Sequence, residues 1–275
     1  MATINAADIK ALREQTGAGM LDVKRALDEA EGDRGKAIEI LRVKGLKGVT
    51  KREGRSASNG LVAAHVEGGT GTLVEVNCET DFVAKGEKFA ELAQQVLDQA
   101  VATGAADAEA LLASELDGRT LQAALDEANA LIGEKIEVRR VARVEGAHVA
   151  SYLHRTSPDL PPQIGVLVAV DSAANDVARD VAMHAAASSP TFLSRDEVPS
   201  EVVESERRIA EETAREEGKP EQAMPKIVEG RVNGFFKENV LLEQPFSRDT
   251  KKTINQVLKD ASTNVTAFAR FRVGA

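Results

Sequence analysis

The chain has 275 residues, of which 43% are hydrophobic, and this is enough for one large domain or two to three small ones. Its net charge of −9 opposes binding to the phosphates of nucleic acids. With no Trp, one Tyr and eight Phe, it also offers few aromatic platforms on which bases could stack.

The first 55 residues differ in charge from the rest of the chain. They carry twelve Lys/Arg and nine Asp/Glu, so a basic module precedes an acidic body. Apolar residues at helical spacing predict three short helices between residues 5 and 45, broken at residues 17–19 and 31–33. Residues 46–60 are rich in Gly, Ser and charged residues, which is typical of a flexible linker. We therefore expect a three-helix module with linker at residues 1–55, tethered to the body rather than docked on it.

The body contains two predicted copies of a β-hairpin followed by a helix. In the first copy, β-type runs at 61–66 and 72–77 precede a helix from residue 82 to about residue 102. In the second, runs at 149–154 and 164–171 precede a helix from about residue 175 to 188. Residues 107–131 are helical in pattern and 135–144 are strand-like. These elements indicate an α+β fold with subdomains at 56–146 and 147–275.

An acidic segment at residues 196–231 interrupts the second copy. Eleven acids, five bases and few apolar residues between 196 and 230 predict a solvent-exposed antiparallel helical hairpin. Gly218-Lys219-Pro220 suits its turn, since Gly ends helices and Pro begins them. Because Pro225 falls in the second arm, we expect that arm to kink or to start late. A helix at 251–260 and a strand ending at Val273 then close the chain.

Residues 77–84, Asn-Cys-Glu-Thr-Asp-Phe-Val-Ala, form an acidic and aromatic corner between an apolar strand and an amphipathic helix. Thr80 or Asp81 suits the N-cap of that helix, which fixes where Phe82 points. A Phe displayed beside an Asp would be an anchor for a pocket of a partner. From the residue type alone, inward packing of Phe82 is favoured, because large apolar side chains are mostly buried.

The sequence has no motif for nucleotide, metal or redox chemistry. It lacks a Walker-type loop and a G-x-G-x-x-G motif, and its four histidines include no pair at helical ligand spacing. The single cysteine, Cys78, excludes an internal disulfide and suits a buried position. No apolar run has the length of a signal peptide or membrane span. We expect a cytoplasmic protein that is not an enzyme, with no cofactor, no metal, no direct nucleic-acid contact and no membrane contact.

Two motifs carry a resemblance to a known family. They are residues 12–20, Leu-Arg-Glu-Gln-Thr-Gly-Ala-Gly-Met, and residues 80–84, Thr-Asp-Phe-Val-Ala. Together they resemble elongation factor Ts, the family of bacterial and organellar nucleotide-exchange factors for elongation factor Tu. Shorter segments are similar in the expected order, at residues 132–134, 138–141, 183–184, 228–231 and 244–246. The resemblance therefore covers nearly the whole chain.

The resemblance implies a module similar to ubiquitin-associated (UBA-like) domains, two related core subdomains and a protruding coiled-coil hairpin. It also implies a binding surface for elongation factor Tu, both GDP-bound and nucleotide-free. The contacts with the GTPase domain of that partner would be Arg13, Met20, Leu21, Thr80, Asp81, Phe82 and Val83, with Ile132 in support. Those with its C-terminal domain would be His154, Met183 and His184. Whether the complex forms a homodimer stays open.

Two features depart from the family, namely Pro225 in the hairpin, where a continuous helix is expected, and the end of the chain. One alternative function stays open. The chain ends at Gly274-Ala275, where some relatives continue into a short helical module, so we expect any partner contact of that module to be missing. The alternative is an adaptor or scaffold, whose first module would bind a peptide or a ubiquitin-like surface while the acidic hairpin mediates assembly.

Overall fold

The computed structural model describes residues 5–52, 54–173 and 175–275. The helices within these residues are α1 (Ala6–Thr16), α2 (Met20–Glu29), α3 (Arg34–Arg52), α4 (Asp81–Ala84), α5 (Glu87–Thr103), α6 (Ala108–Ala113), α7 (Leu121–Ile132), α8 (Asn175–Ser188), α9 (Ser200–Glu216), α10 (Met224–Asn239) and α11 (Ile254–Asp260). The strands are β1 (Asn59–Glu67), β2 (Thr70–Cys78), β3 (Glu115–Leu116), β4 (Arg119–Thr120), β5 (Ile136–Glu145), β6 (His148–His154), β7 (Ile164–Val170), β8 (Pro245–Phe246), β9 (Asp249–Thr253) and β10 (Val265–Arg272).

The three predicted N-terminal helices are present as α1, α2 and α3. Asn5 and Asp8 form a capping box at the start of α1, in which each side chain bonds the backbone N–H of the other residue. Gly17 ends α1 with a φ of 74°, a left-handed conformation that glycine adopts without strain. The apolar faces of the helices meet in a small core of Leu12, Ala18, Val23, Ala26, Leu27, Ala30, Ala37 and Leu41. The likeness to UBA domains stays a prediction.

Helix α3 docks this module on the body. It runs to Arg52, through part of the segment predicted to be a linker. It lies so close to α7 that a Cβ atom at Gly45 would be 2.0 Å from the carbonyl oxygen of Ala130. Arg52 also donates a hydrogen bond from Nη1 to the carbonyl oxygen of Asn129, at 3.1 Å. The prediction of a linker is therefore wrong for residues 46–52, which continue α3. The prediction of a tethered module is wrong as well, because Gly45, just before that segment, packs against Ala130 of α7.

Two three-stranded antiparallel sheets form the centre of the body. In the first sheet β2 lies between β1 and β5, and in the second β7 lies between β10 and β6. All seven residues of β7 are buried, as expected for a central strand covered on both faces. The sheets pack face to face through Val62, Leu73, Val144, Val149, Leu167, Ala169 and Phe271. Gly165 allows this contact, since a Cβ there would lie 2.5 Å from Cγ1 of Val62.

Helices cover the outer face of each sheet. Over the first sheet, α5, α6 and α7 bury apolar residues that include Phe89, Val96, Leu97, Leu111, Leu121 and Leu125. Over the second, α8 and α11 bury Ala178, Val181, Ala182, Ala185, Ile254 and Leu258. Each fully buried Leu, Ile, Val or Phe stabilises the fold by about 1.5–3 kcal/mol. The mixed class of helices and antiparallel sheets is confirmed, whereas the subdomain limits at residues 146 and 147 stay a prediction.

Helices α9 and α10 form the predicted hairpin, which has an apolar seam of its own. The buried seam consists of Val198, Ala210, Val228, Val232, Phe236 and Val240. Gly218, with a φ of 68°, follows the first arm. Pro225 stands in the first turn of α10, where its missing N–H costs no helical hydrogen bond. The second arm therefore starts late, which is one of the two outcomes that the sequence predicted.

Candidate functional site

Thr80 caps the one-turn helix α4 and joins it to the end of β2. Its Oγ1 accepts a hydrogen bond from the backbone N–H of Val83 at 3.4 Å, so Thr80 rather than Asp81 is the N-cap. The side chain of Phe82 is 83% exposed. Inward packing, which the residue type alone favoured, is wrong for this position.

The neighbours of Phe82 explain why it points outward. Ala84 is buried and Val83 is half-buried, and both pack against the core over the first sheet, close to Cys78 and Phe89. These two residues occupy the inward side of the short turn, and Phe82 is left on the solvent side. A rigid cap therefore displays a large apolar side chain, which is the arrangement expected of a contact residue.

Asp81 gives the corner a negative charge. Its Oδ2 atom lies 2.8 Å from Nζ of Lys85, one turn along the chain. That hydrogen bond holds the pKa of the Asp81 carboxyl below its usual value, so the group is ionised at neutral pH. Both side chains are exposed, so that a donor of a partner can reach the Asp81 carboxylate without unfolding the corner.

Phe82 forms one side of an open groove between the first module and the core. The groove has a volume of about 670 Å³ and is lined by residues that include Ile9, Arg13, Met20, Phe82, Val83 and Ile132. Docking of the module brings these residues together, and a Cβ at Gly17 would lie 3.2 Å from Cγ1 of Ile132. Met20 is 60% exposed, and its neighbour Leu21 is 69% exposed but outside the groove lining.

His154 and Met183 lie together in a second groove, of about 390 Å³. His154 is exposed at the end of β6, and its ring stacks on Tyr152 with 6.1 Å between the centroids. Arg248 crosses the groove, with its Nη1 2.7 Å from Oδ2 of Asp180 and its Nη2 3.7 Å from the sulfur of Met183. The structure therefore places two of the three residues predicted for the second contact on one surface.

His184 lies inside the molecule, only 2% exposed. Its Nε2 is 2.9 Å from Oε1 of Gln244, and the backbone N–H of Ser247 donates to its Nδ1 at 3.3 Å. Burial lowers the pKa of His184, which keeps the ring neutral. On α8, Met183 faces the groove and His184 faces the core. The burial of His184 does not fit a direct contact with a partner and favours a supporting role beneath Met183.

One residue of the corner, Glu134, received no role from the sequence, where it lies at the end of the segment 132–134 that is similar to the family. Its carboxylate accepts two hydrogen bonds from Thr80, one from the backbone N–H and one from the hydroxyl. The only local signal was Gly133, whose φ of 86° ends α7 just before Glu134. Since 54 residues separate Thr80 from Glu134, no local pattern indicates that they meet.

Metal binding and thiol chemistry can both be checked in the described residues. Among residues 5–52, 54–173 and 175–275, no group of three or more His, Cys, Asp or Glu could hold a metal ion. Burial, together with the charge of Glu134, raises the pKa of the Cys78 thiol to about 12, so Cys78 is not a nucleophile. None of the helices in these ranges has both the length and the apolar character needed to cross a membrane.

Comparison with known proteins agrees with the resemblance of the motifs. The family model described as "Elongation factor TS" matches residues 79–275. The chain is 68% identical to the elongation factor Ts of Kineococcus radiotolerans, 66% to that of Micrococcus luteus and 63% to that of Renibacterium salmoninarum. Each of these alignments covers the whole of both chains.

Proposed function

The chain belongs to the elongation factor Ts family, and on that premise we propose that it is a guanine-nucleotide exchange factor. It would bind elongation factor Tu with GDP bound, promote release of the GDP and leave the partner free to bind GTP. The observation that carries this proposal is the exposed Phe82 beside the ionised Asp81 on a capped, rigid corner.

The corner would act on the magnesium and phosphate site of the partner. GDP is held there largely through a magnesium ion and backbone donors around its β-phosphate, so the ion is a dominant local charge. Phe82 would insert between side chains of the partner as an apolar wedge, and Asp81 would accept hydrogen bonds from nearby donors. Both contacts would stabilise a nucleotide-poor state that the free partner rarely adopts.

The same coupling explains how the complex would dissociate. If the protein weakens GDP binding by some factor, bound nucleotide weakens the binding of the protein by that same factor. Rebinding of GTP would therefore release the protein. No covalent bond forms or breaks on this chain, and in that sense the proposed function is not enzymatic.

The two grooves suit two further contacts with the same partner. The first module exposes Arg13, Met20 and Leu21, which would bind the GTPase domain. Arg13 and Met20 line the first groove together with Phe82, and Leu21 follows Met20 outside that lining. His154 and Met183 would contact the C-terminal domain at the second groove. We assign affinity mainly to these contacts and acceleration of release mainly to Phe82.

The test is stopped-flow release of a fluorescent GDP analogue from elongation factor Tu in millimolar magnesium. We expect acceleration that rises with the concentration of the protein and saturates. Phe82→Ala should lower the saturating rate constant by roughly 10- to 150-fold, since burial of a Phe side chain contributes about 1.5–3 kcal/mol. The matched control is Val43→Ala, which also removes an exposed apolar side chain (54% exposed) and should leave the rate unchanged.

Arg13→Ala separates binding from release. It should raise the protein concentration needed for half-maximal acceleration while leaving the saturating rate constant close to that of the wild type. Equal losses of affinity in Arg13→Ala and Phe82→Ala, with unchanged saturating rates, would contradict this division of roles. If the folded wild-type protein fails to accelerate release from a competent partner, the exchange function is wrong and the adaptor function is the better account.

A further inference from the structure

Glu134 holds Thr80 through both of its carboxylate oxygens. Oε2 accepts the backbone N–H of Thr80 at 3.0 Å, and Oε1 accepts the Thr80 hydroxyl at 2.6 Å. A hydroxyl has one hydrogen and two lone pairs. Because its hydrogen is committed to Glu134, a lone pair of Thr80 Oγ1 is turned toward the N–H of Val83, which it accepts at 3.4 Å. Glu134 therefore sets the orientation of the cap that begins α4.

A reciprocal bond makes this contact a clasp between two segments, residues 79–80 and 134–135. Oε1 of Glu79 accepts the backbone N–H of Lys135 at 2.7 Å. The amide of Asn59 donates to the carbonyl oxygen of Glu79 at 2.8 Å. In each segment a Glu side chain thus accepts a hydrogen bond from a backbone N–H of the other segment. Bonds to ionised acceptors are stronger than neutral ones, so the end of β2 is fixed just before Phe82.

The clasp ties the wedge to the helix that carries the first module. Glu134 follows the end of α7, and the Asn129 side chain of α7 holds the next strand through the N–H and the carbonyl oxygen of Ile136, at 2.6 and 3.2 Å. Helix α3 packs on the same turn of α7, with Gly45 against Ala130. The position of Phe82 and the position of the module across the groove therefore depend on one common element.

We propose that Glu134 is a positioning residue for exchange: by fixing the Thr80 cap it holds Phe82 in the orientation that inserts into the partner. The proposal rests on the exchange function proposed above and deepens it. A preorganised side chain loses less conformational freedom on insertion than a mobile one, so the effect belongs to the release step. Helix α4 has a single turn, and apart from the clasp it is held by the packing of Val83 and Ala84 and by hydrogen bonds within the turn itself.

The experiment compares Glu134→Ala, Glu134→Gln and the control Glu145→Ala in the GDP-release assay, using the full chain. Glu145 is an exposed carboxylate at the other end of the strand that follows Glu134, paired with Arg143. We expect Glu134→Ala to lower the saturating rate constant about tenfold. Glu134→Gln should stay within about threefold of the wild type, since an amide can still accept from the Thr80 N–H and donate to its hydroxyl oxygen. Glu145→Ala should match the wild type.

Two further readouts separate positioning from a loss of fold. In the free protein, hydrogen exchange at the amides of Thr80 and Val83 should be faster in Glu134→Ala and near wild type in Glu134→Gln, with exchange in β7 unchanged. In the Phe82→Ala background, Glu134→Ala should cause no further loss of rate, because Glu134 acts through Phe82.

The outcomes that overturn the inference are distinct from those that overturn the exchange function. Acceleration by the wild type, together with a full rate in Glu134→Ala despite faster exchange at Thr80, would show that the clasp does not position the wedge. An equal loss of rate in the Phe82→Ala background would show that Glu134 acts elsewhere. Failure of the wild type itself to accelerate release would overturn the exchange function, and this inference with it.

Discussion

Replacement of Gly45 by Ala tests the docking of the first module. In the middle of an exposed helix, Gly→Ala stabilises by about 0.5–1 kcal/mol, because glycine loses more backbone entropy on folding. At Gly45 the added Cβ would lie 2.0, 2.4 and 2.5 Å from the carbonyl oxygen, carbonyl carbon and Cα of Ala130. All three are backbone atoms, which no rotation of a side chain can move. Helix α3 must therefore shift away from α7.

The size of the effect follows from this geometry. Contacts to a Cβ below 3.0 Å are essentially never adopted, so the two helices must separate by about 1 Å. A gap of about 0.5–1 Å forfeits a quarter to a half of the dispersion energy of the atoms that face it, and overpacking costs about 1–3 kcal/mol. After the gain in helix propensity, we expect Gly45→Ala to lower the free energy of unfolding by about 1–2 kcal/mol.

The assay is urea unfolding together with hydrogen exchange along α7. The control, Gly35→Ala, lies on the same helix at an exposed position where a Cβ meets only a side-chain oxygen at 3.4 Å, and it should be neutral or slightly stabilising. Hydrogen exchange at the amides of Asn129 and Ala130 should be faster than in the wild type for Gly45→Ala and unchanged for Gly35→Ala. A Gly45→Ala protein at least as stable as the wild type, with unchanged protection of α7, would refute the docked arrangement.

Three other predictions follow from buried groups. His184→Gln should reduce the loss of stability that the wild type shows between about pH 7 and pH 5. Burial holds the pKa of His184 below its ordinary 6.5, so the unfolded chain is protonated first and the free energy of unfolding drops as the pH falls through that value. The same pH dependence of urea unfolding in the variant would contradict this. Arg140→Ala should lower the free energy of unfolding by roughly 3 kcal/mol in the same assay, because it leaves the fully buried carboxylate of Glu75 without its cation. A decrease below about 1 kcal/mol would be evidence against a stabilising ion pair. Cys78, which has no exposed surface, should react with iodoacetamide only in urea, and equally fast labelling in native buffer would rule out its burial.

Most of the order of helices and strands was predictable because its signals are local, whereas the short strands β3, β4, β8 and β9 were not predicted. Apolar spacing and turn residues marked the three N-terminal helices, both β-hairpins and the acidic hairpin with its late second arm. Whether an individual side chain is exposed or buried depends on contacts with residues distant in sequence. Met183 and His184 are adjacent in sequence, yet one lines a groove and the other is buried, because the packing of α8 separates them.

The linker prediction failed for a physical reason. Residues 46–52 have the composition of a mobile segment, yet they continue α3, which the close contact of Gly45 with Ala130 holds on α7. That contact joins residues far apart in sequence, so composition does not reveal it. Phe82 is a similar case. Its exposure depends on Val83 and Ala84 filling the inward side of a four-residue turn, which residue type alone does not reveal.

The base of the α9–α10 hairpin is closed by backbone hydrogen bonds, to which Arg195 adds side-chain bonds with Glu243 and Asn233. The N–H groups of Thr191 and Phe192 donate to the carbonyl oxygen of Asn239 at 2.9 and 3.0 Å, and the N–H of Leu241 donates to that of Phe192 at 2.8 Å. The chain thus leaves the second sheet layer and returns to it at one point. Because the arms bury their own seam, another helical hairpin of different length or charge can be grafted between Val198 and Phe236, which keeps Leu193 in the core over the second sheet.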